Sequence, residues 1–116
     1  VAVSENSPVT GVQLVKTEFG VGLGFNDKKR GKPYFVDFTV LSWRQRLQKG
    51  LPKNHIFVRA LGAPDAKTKV LDATAGFGQD AVQALCLGCE VVAVERSKEV
   101  AAVLRDGIMR ALAEES

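Results

Sequence analysis

Asp72, Gly76, Gly78, Asp80 and Glu95 have the types and the spacing to hold an adenosine-bearing ligand. Glycines at 76 and 78 let a backbone turn sharply and approach a ligand with no Cβ in the way. Gly76-Phe77-Gly78-Gln79-Asp80-Ala81 matches the G-x-G-x-x-G/A pattern of dinucleotide-binding loops, which is weak evidence when it stands alone. The acids around it say more. Asp72 precedes the loop at a strand end, where a carboxylate suits the ammonium of an amino-acid ligand and repels a pyrophosphate. Asp80 puts negative charge at the helix N-terminus that would otherwise welcome a phosphate. Glu95 lies 19 residues beyond Gly76, close to the spacing of about 20 for a ribose-hydroxyl acceptor. A neutral-to-cationic adenosine ligand fits all three acids, which favours S-adenosylmethionine over NAD. The plainer alternative is that Asp72 and Asp80 only cap turns.

The elements that must carry these residues are legible nearby. Lys69 to Asp72 reads as a short central strand, and Asp80 to Leu87 as a helix stopped by Gly88. Glu90-Val91-Val92-Ala93-Val94-Glu95 suits a parallel strand buried on both faces. Ser97 caps a further helix with apolar residues at Val100, Ala101, Val103, Leu104, Ile108, Ala111 and Leu112. Strand, helix, strand and helix in this order make a right-handed βαβ unit of an α/β fold. The loop then sits at the carboxyl end of its strand, where open α/β sheets bind ligands.

The first half is less regular. Residues 1–11 are polar and read as a loose start, and Val12 to Val15 as a short strand. Phe19-Gly20-Val21-Gly22-Leu23-Gly24-Phe25 has glycine at every second place. No lysine–serine pair or helix start follows, so a glycine-rich hairpin strand is favoured over a phosphate loop. A basic turn at 26–33 leads to a strand at Tyr34 to Phe38, with Asp37 on the face opposite Val36 and Phe38. A helical or irregular stretch begins at Ser42, with Gly50-Leu51-Pro52 as its breaker. Asn54 is placed to cap a short helix to Leu61, with Ile56, Phe57, Ala60 and Leu61 on one face and Gly62 as its stop. Ala63 to Lys69 is a polar connection, so the chain divides into residues 1–65 and 66–116.

The chain has 116 residues, 46% of them hydrophobic and 25% charged, ordinary values for one globular domain. No apolar run approaches the roughly 20 residues of a membrane span, and no signal-peptide pattern is visible, so a cytoplasmic location is the default expectation. Net charge is +3, but residues 1–69 hold 12 Lys and Arg against 5 Asp and Glu, while residues 70–116 hold 4 against 8. A basic front beside an acidic ligand-binding half points to a polyanion partner or to a solvated basic surface. Cys86-Leu87-Gly88-Cys89 falls where a helix ends, and the negative end of the helix dipole disfavours a thiolate there. His55 is the one histidine and no second cysteine pair exists, so buried reduced thiols, with no metal, are expected.

Taken together, Val70-Leu71-Asp72-Ala73-Thr74-Ala75-Gly76-Phe77-Gly78-Gln79-Asp80-Ala81, Leu87-Gly88-Cys89-Glu90-Val91, Glu95-Arg96-Ser97 and Leu104-Arg105-Asp106-Gly107-Ile108 resemble the bacterial 16S rRNA guanine-N2 methyltransferases called RsmJ. Gly31-Lys32-Pro33-Tyr34-Phe35-Val36-Asp37-Phe38 and Arg44-Gln45-Arg46 resemble that family's segment before its Rossmann core, so the likeness covers about residues 12–112. The resemblance implies a Rossmann-like methyltransferase fold, present here as its first βαβα unit behind a small basic β-containing segment. It implies S-adenosylmethionine as cofactor, ribosomal RNA of the small subunit as partner, and cofactor contacts at Gln79-Asp80 and Glu95-Arg96. Within that reading, Lys28, Lys29, Arg30, Lys32, Arg44 and Arg46 would bind RNA phosphates.

The sequence departs from the family in three places. Gln79 stands where arginine is usual, which removes a charge and a fork of donors. Gln48 to His55 replaces a glycine-rich basic run. The motif that would hold the target base has no counterpart before Ser116, so catalytic residues are expected beyond it and the chain alone is expected to be inactive. The competing expectations are a non-catalytic nucleic-acid-binding module with a vestigial Rossmann core, and an NAD(P)-dependent oxidoreductase.

Overall fold

The computed structural model describes residues 2–4, 11–25 and 31–115. Its centre is a parallel three-stranded sheet in which β5 (Glu90–Val94) lies between β4 (Lys69–Asp72) and β1 (Ala2–Ser4). The chain passes from β4 through α3 (Gln79–Cys86) to β5 and then into α4 (Lys98–Glu115), the order expected from the sequence. Ser97 caps α4 as expected, its Oγ accepting from the Val100 amide at 3.2 Å.

Among the described residues of β4 and β5, one face of the sheet is covered and the other is exposed. In register, Val70 pairs with Val91 and Leu71 with Val92. Val91 and Ala93 are buried, whereas Leu71 is 68% and Val92 41% exposed. The expectation that 90–95 is buried on both faces is therefore corrected. A valine-rich run records what a strand tolerates, not which helices are present to cover it.

Three further expectations change. Residues 2–4 are not loose: they add β1 to β5, with Ala2 opposite Val92. Three residues are too few to leave an alternation in the sequence, and the free edge of β5 supplies their partners. Tyr34 to Phe38 forms no continuous strand. Tyr34 and Leu23 exchange both backbone hydrogen bonds, at 2.7 and 2.8 Å, and there the pairing stops. Beyond it the Val36 carbonyl accepts from the Arg110 guanidinium instead of a strand, although Val36 and Phe38 are buried and Asp37 exposed as an alternating segment requires. The short helix is α2 (Ile56–Ala60), and its cap is His55, not Asn54: His55 Nδ1 accepts from the Phe57 amide at 3.1 Å. Its buried side chain is Val58, while Ile56 is exposed, because five residues are too short to present a stripe.

The glycine-rich segment is a hairpin strand, as expected. β2 (Val12–Thr17) pairs antiparallel with β3 (Gly20–Phe25). A Cβ at Gly22 would meet the Phe35 ring at 2.8 Å, so the bare backbone there makes room for an aromatic side chain. The hairpin is tied to α4 by Asp106, whose Oδ2 accepts from Val21 N at 3.0 Å and from Arg110 Nε at 2.9 Å. Helix α1 (Leu41–Lys49) lies before α2 and packs along α3, with Trp43 edge-on to Phe38 at 5.0 Å. One hydrophobic core joins Leu23, Val36 and Phe38 to Ala81, Val91, Leu104 and Ile108. Among the described residues no helix is long and apolar enough to cross a membrane.

Candidate functional site

The loop from Ala73 to Gly78 leaves the carboxyl end of β4 and delivers the chain to α3. Its shape comes from short local bonds. Asp72 Oδ1 accepts from Thr74 N at 3.2 Å, and Gly78 N donates to the Ala75 carbonyl at 2.8 Å. Ala75 N donates to the Val94 carbonyl at 2.9 Å, which fixes the loop to the end of β5. Gly76 and Gly78 both adopt left-handed backbone, at φ 54° and 82°. They differ in what faces their missing side chains. A Cβ at Gly76 would meet nothing within 4 Å, whereas one at Gly78 would lie 2.2 Å from Leu104 Cδ1. Gly76 thus faces open space, and Gly78 lets α4 close on the loop.

Glu95 joins the two strand ends. Its Oε1 accepts from Gly76 N at 3.0 Å and its Oε2 from Ser97 N at 2.7 Å. An ionised carboxylate offers about four lone-pair sites, so roughly two stay available to a ligand's hydroxyls. The expected ribose acceptor is therefore also the clamp that sets the loop's geometry. Arg96 beside it is exposed.

A cavity of about 320 Å³ lies over the start of α3, lined by Ala75, Phe77, Gly78, Gln79 and Asp80. Gln79 and Asp80 thus face one space, and Asp80 Oδ1 accepts weakly from Gln83 Nε2 at 3.4 Å. The Phe77 ring stands 4.6 Å from that of Tyr34, tilted by 41°. Tyr34 is 48% exposed, so an aromatic face from the first half of the chain sits beside the loop. Nothing local to residue 34 in the sequence indicates its partner at 77.

Lys28, Lys29 and Arg30 lie outside the described residues. Lys32 and Arg44 are exposed, and Arg46 is half-buried with its guanidinium 4.9 Å from the Trp43 ring centre. Arg46 also lines a second cavity with Gln45, Lys49 and His55. Lys49 and His55 were missed as candidates. The available signal was the spacing of Gln45 and Lys49, one helical turn apart on a helix free of acids.

Cys86 and Cys89 are buried and free. Burial pushes the Cys86 thiol up to about 11, against a smaller opposing pull from Arg46. Burial and the Asp65 carboxylate raise Cys89 as well. Both are packing residues at the end of α3. Asp37 shifts the other way, held below the usual carboxylate range first by the Thr39 hydroxyl and, more weakly, by the Thr39 amide and Arg110.

Comparison with known proteins bears on this geometry. Residues 3–116 match the model of a family described as "Putative SAM-dependent methyltransferase". The chain is similar to proteins named ribosomal RNA small subunit methyltransferase J. It is 39% identical to that of Stutzerimonas stutzeri over 98 residues, which are 84% of this chain and 38% of the relative. It is 42% identical to that of Psychromonas ingrahamii over 87 residues, 74% of this chain and 34% of the relative. It is 36% identical to that of Coxiella burnetii over 110 residues, 94% of this chain and 43% of the relative. The chain thus spans well under half the length of these curated relatives.

Proposed function

The chain belongs to this SAM-dependent methyltransferase family, and we propose that it is the cofactor-holding part of an enzyme that methylates small-subunit ribosomal RNA at a guanine N2. S-adenosylmethionine is the cofactor that the family implies. What supports the reading most is the carboxylate of Glu95, set at the carboxyl ends of two parallel strands with acceptor sites to spare. The order β4, α3, β5, α4 and the parallel pairing of its strands suit the first unit of a Rossmann-like fold.

S-adenosylmethionine supplies an electrophilic methyl group on a sulfonium. The chain's own residues bind and orient. Glu95 accepts from the ribose hydroxyls while it holds Gly76 in place. The open side of Gly76 admits the ligand to the loop. Asp72 keeps one oxygen on Thr74 and turns the other toward the amino group of the ligand, directly or through water. Gln79, Asp80 and Arg96 complete the contacts around the start of α3, with Gly78 shaping the turn. Residues 66–116 form the cofactor side. Residues 1–65 form the RNA side, where Lys28, Lys29, Arg30, Lys32, Arg44 and Arg46 meet phosphates. The groups that hold the base are proposed to lie outside residues 1–116.

Isothermal titration with S-adenosylhomocysteine tests the reading. Binding that Glu95→Ala weakens at least tenfold, with no binding of NAD, is the expected result. NAD binding, or no nucleoside ligand bound at all, overturns it. The 116-residue chain should transfer no methyl group to small-subunit RNA, and turnover by it would show that the catalytic groups lie within residues 1–116.

A further inference from the structure

The larger of the two cavities lies away from the cofactor loop. It measures about 540 Å³ and opens between α1 and the segment 50–55, with Gln45, Arg46, Lys49 and His55 among its lining residues. We propose that this groove is a phosphate-binding site for single-stranded RNA, remote from the point of methyl transfer, in which Arg46, Lys49 and His55 hold the flank of the substrate strand. The proposal deepens the reading of RNA as substrate and rests on it for the identity of the polyanion.

The donor set is one-sided. The groove offers a guanidinium, an ammonium, an amide, the Ser42 hydroxyl and an imidazole, and none of its described lining residues is acidic. His55 contributes as a donor for a structural reason. Its Nδ1 accepts from the Phe57 amide, so the proton of the neutral ring sits on Nε2. Arg46 is held in place before any ligand arrives, because its guanidinium lies over Trp43, which is itself packed edge-on to Phe38. A pre-organised guanidinium loses less freedom when it binds a phosphate. Gln45 and Lys49 lie about one turn apart on α1, about 6 Å along its axis, so the groove presents donors in a row and not at a point.

Position selects the role. Gly50 packs against the far end of α3, where a Cβ would lie 3.3 Å from the Cys86 carbonyl. The cofactor loop joins α3 at its other end, Gly78. An eight-residue helix is about 12 Å long, so the groove stands roughly one helix length from the loop. That distance suits contacts to backbone phosphates beside the target nucleotide, which position a strand without reading its sequence. Arg46 and Lys49 also fall in the last turn of α1, where positive charge offsets the helix dipole. A purely structural role of that kind would leave RNA binding untouched.

The test is fluorescence anisotropy of a labelled single-stranded RNA 20-mer with the chain, repeated over a salt series. Arg46→Gln with Lys49→Gln should weaken binding at least fivefold. It should also lower the slope of log K against log salt by about 1.4, roughly 0.7 for each phosphate no longer neutralised. Arg46→Lys should keep the slope, and Lys49→Gln alone, at an exposed position, should remove about half of the change. Circular dichroism melts establish that each variant is folded. No RNA binding by the parent chain, or a slope and affinity unchanged in the folded variants, overturns the proposal. S-adenosylhomocysteine affinity should not change in any of them. Loss of that affinity in the parent with the RNA results intact would sink the methyltransferase reading and leave the groove standing.

Discussion

Glu95 and Gly76, 19 residues apart, are joined by a 3.0 Å hydrogen bond from the Gly76 amide to Oε1, while Oε2 of the same carboxylate accepts from Ser97. One side chain thus fixes both the glycine loop and the entry to α4. A residue proposed to bind ligand that also holds its own loop should reveal two effects when changed. Glu95→Gln keeps one acceptor oxygen for two amides and should cost about 1–3 kcal/mol in urea unfolding. Its loss of S-adenosylhomocysteine affinity should persist at low temperature, where the variant is fully folded. Unchanged stability would mean that the two amides find water instead.

Gly78 meets Leu104 where a Cβ would come within 2.2 Å of Cδ1, and its φ is 82°. Gly78→Ala should therefore destabilise the fold by about 2–4 kcal/mol, from left-handed strain together with overpacking. In a double-mutant cycle with Leu104→Ala, the pair should cost less than the sum of the single changes. Strict additivity would place the whole effect in the backbone.

Gly107 lies inside α4, where alanine would ordinarily stabilise a helix by about 1 kcal/mol. Here a Cβ would sit 2.7 Å from the Val36 carbonyl oxygen. Gly107→Ala should reverse the usual sign and lower the melting temperature. A higher melting temperature would show that the segment around Val36 gives way freely.

Asp106 ties the hairpin to α4 across 85 residues of sequence, through Val21 N and Arg110 Nε. Asp106→Ala should cost about 2 kcal/mol and speed hydrogen exchange at the Val21 amide more than at amides of β5. Equal acceleration at both would mean that the hairpin and the sheet open as one unit.

Cys86 gives stability a dependence on pH. Its thiol titrates at about 11 in the fold against an ordinary value of 9.0, so the unfolded chain loses this proton first as pH rises. The contribution is complete below about pH 9 and is lost between about 9 and 11. The unfolding free energy from urea titrations should fall across that window by an amount on the order of 1 kcal/mol. Cys86→Ala should flatten this part of the profile. A flat profile in the parent would mean that the thiol is reached by water.

The elements of residues 66–116 were legible because their signals are local. An apolar strand, two glycines, an acid in the first turn and a capping serine lie within 30 residues of one another and act on their own neighbourhood. Lys69–Asp72, Gln79–Cys86, Glu90–Val94 and the Ser97 cap follow from such signals. The segment at 34–38 marks the limit. Its alternation of buried and exposed side chains is written in the sequence, but its hydrogen bonding depends on Arg110, a residue 74 positions away.

The sequence by itself determined the strand, glycine turn and helix of residues 69–86 and supplied the candidates for an adenosine ligand, since these rest on residue chemistry and spacing along one strand and one loop. Only the tertiary structure decided what those residues do to each other. It made Glu95 a clamp on Gly76 and turned the side-chain space of Gly78 toward Leu104. It also gave β5 the partner strand at residues 2–4 and drew Arg46, Lys49 and His55 into one groove. Such relationships join groups far apart in the chain through packing and paired hydrogen bonds, and these leave no period or motif for a sequence to display.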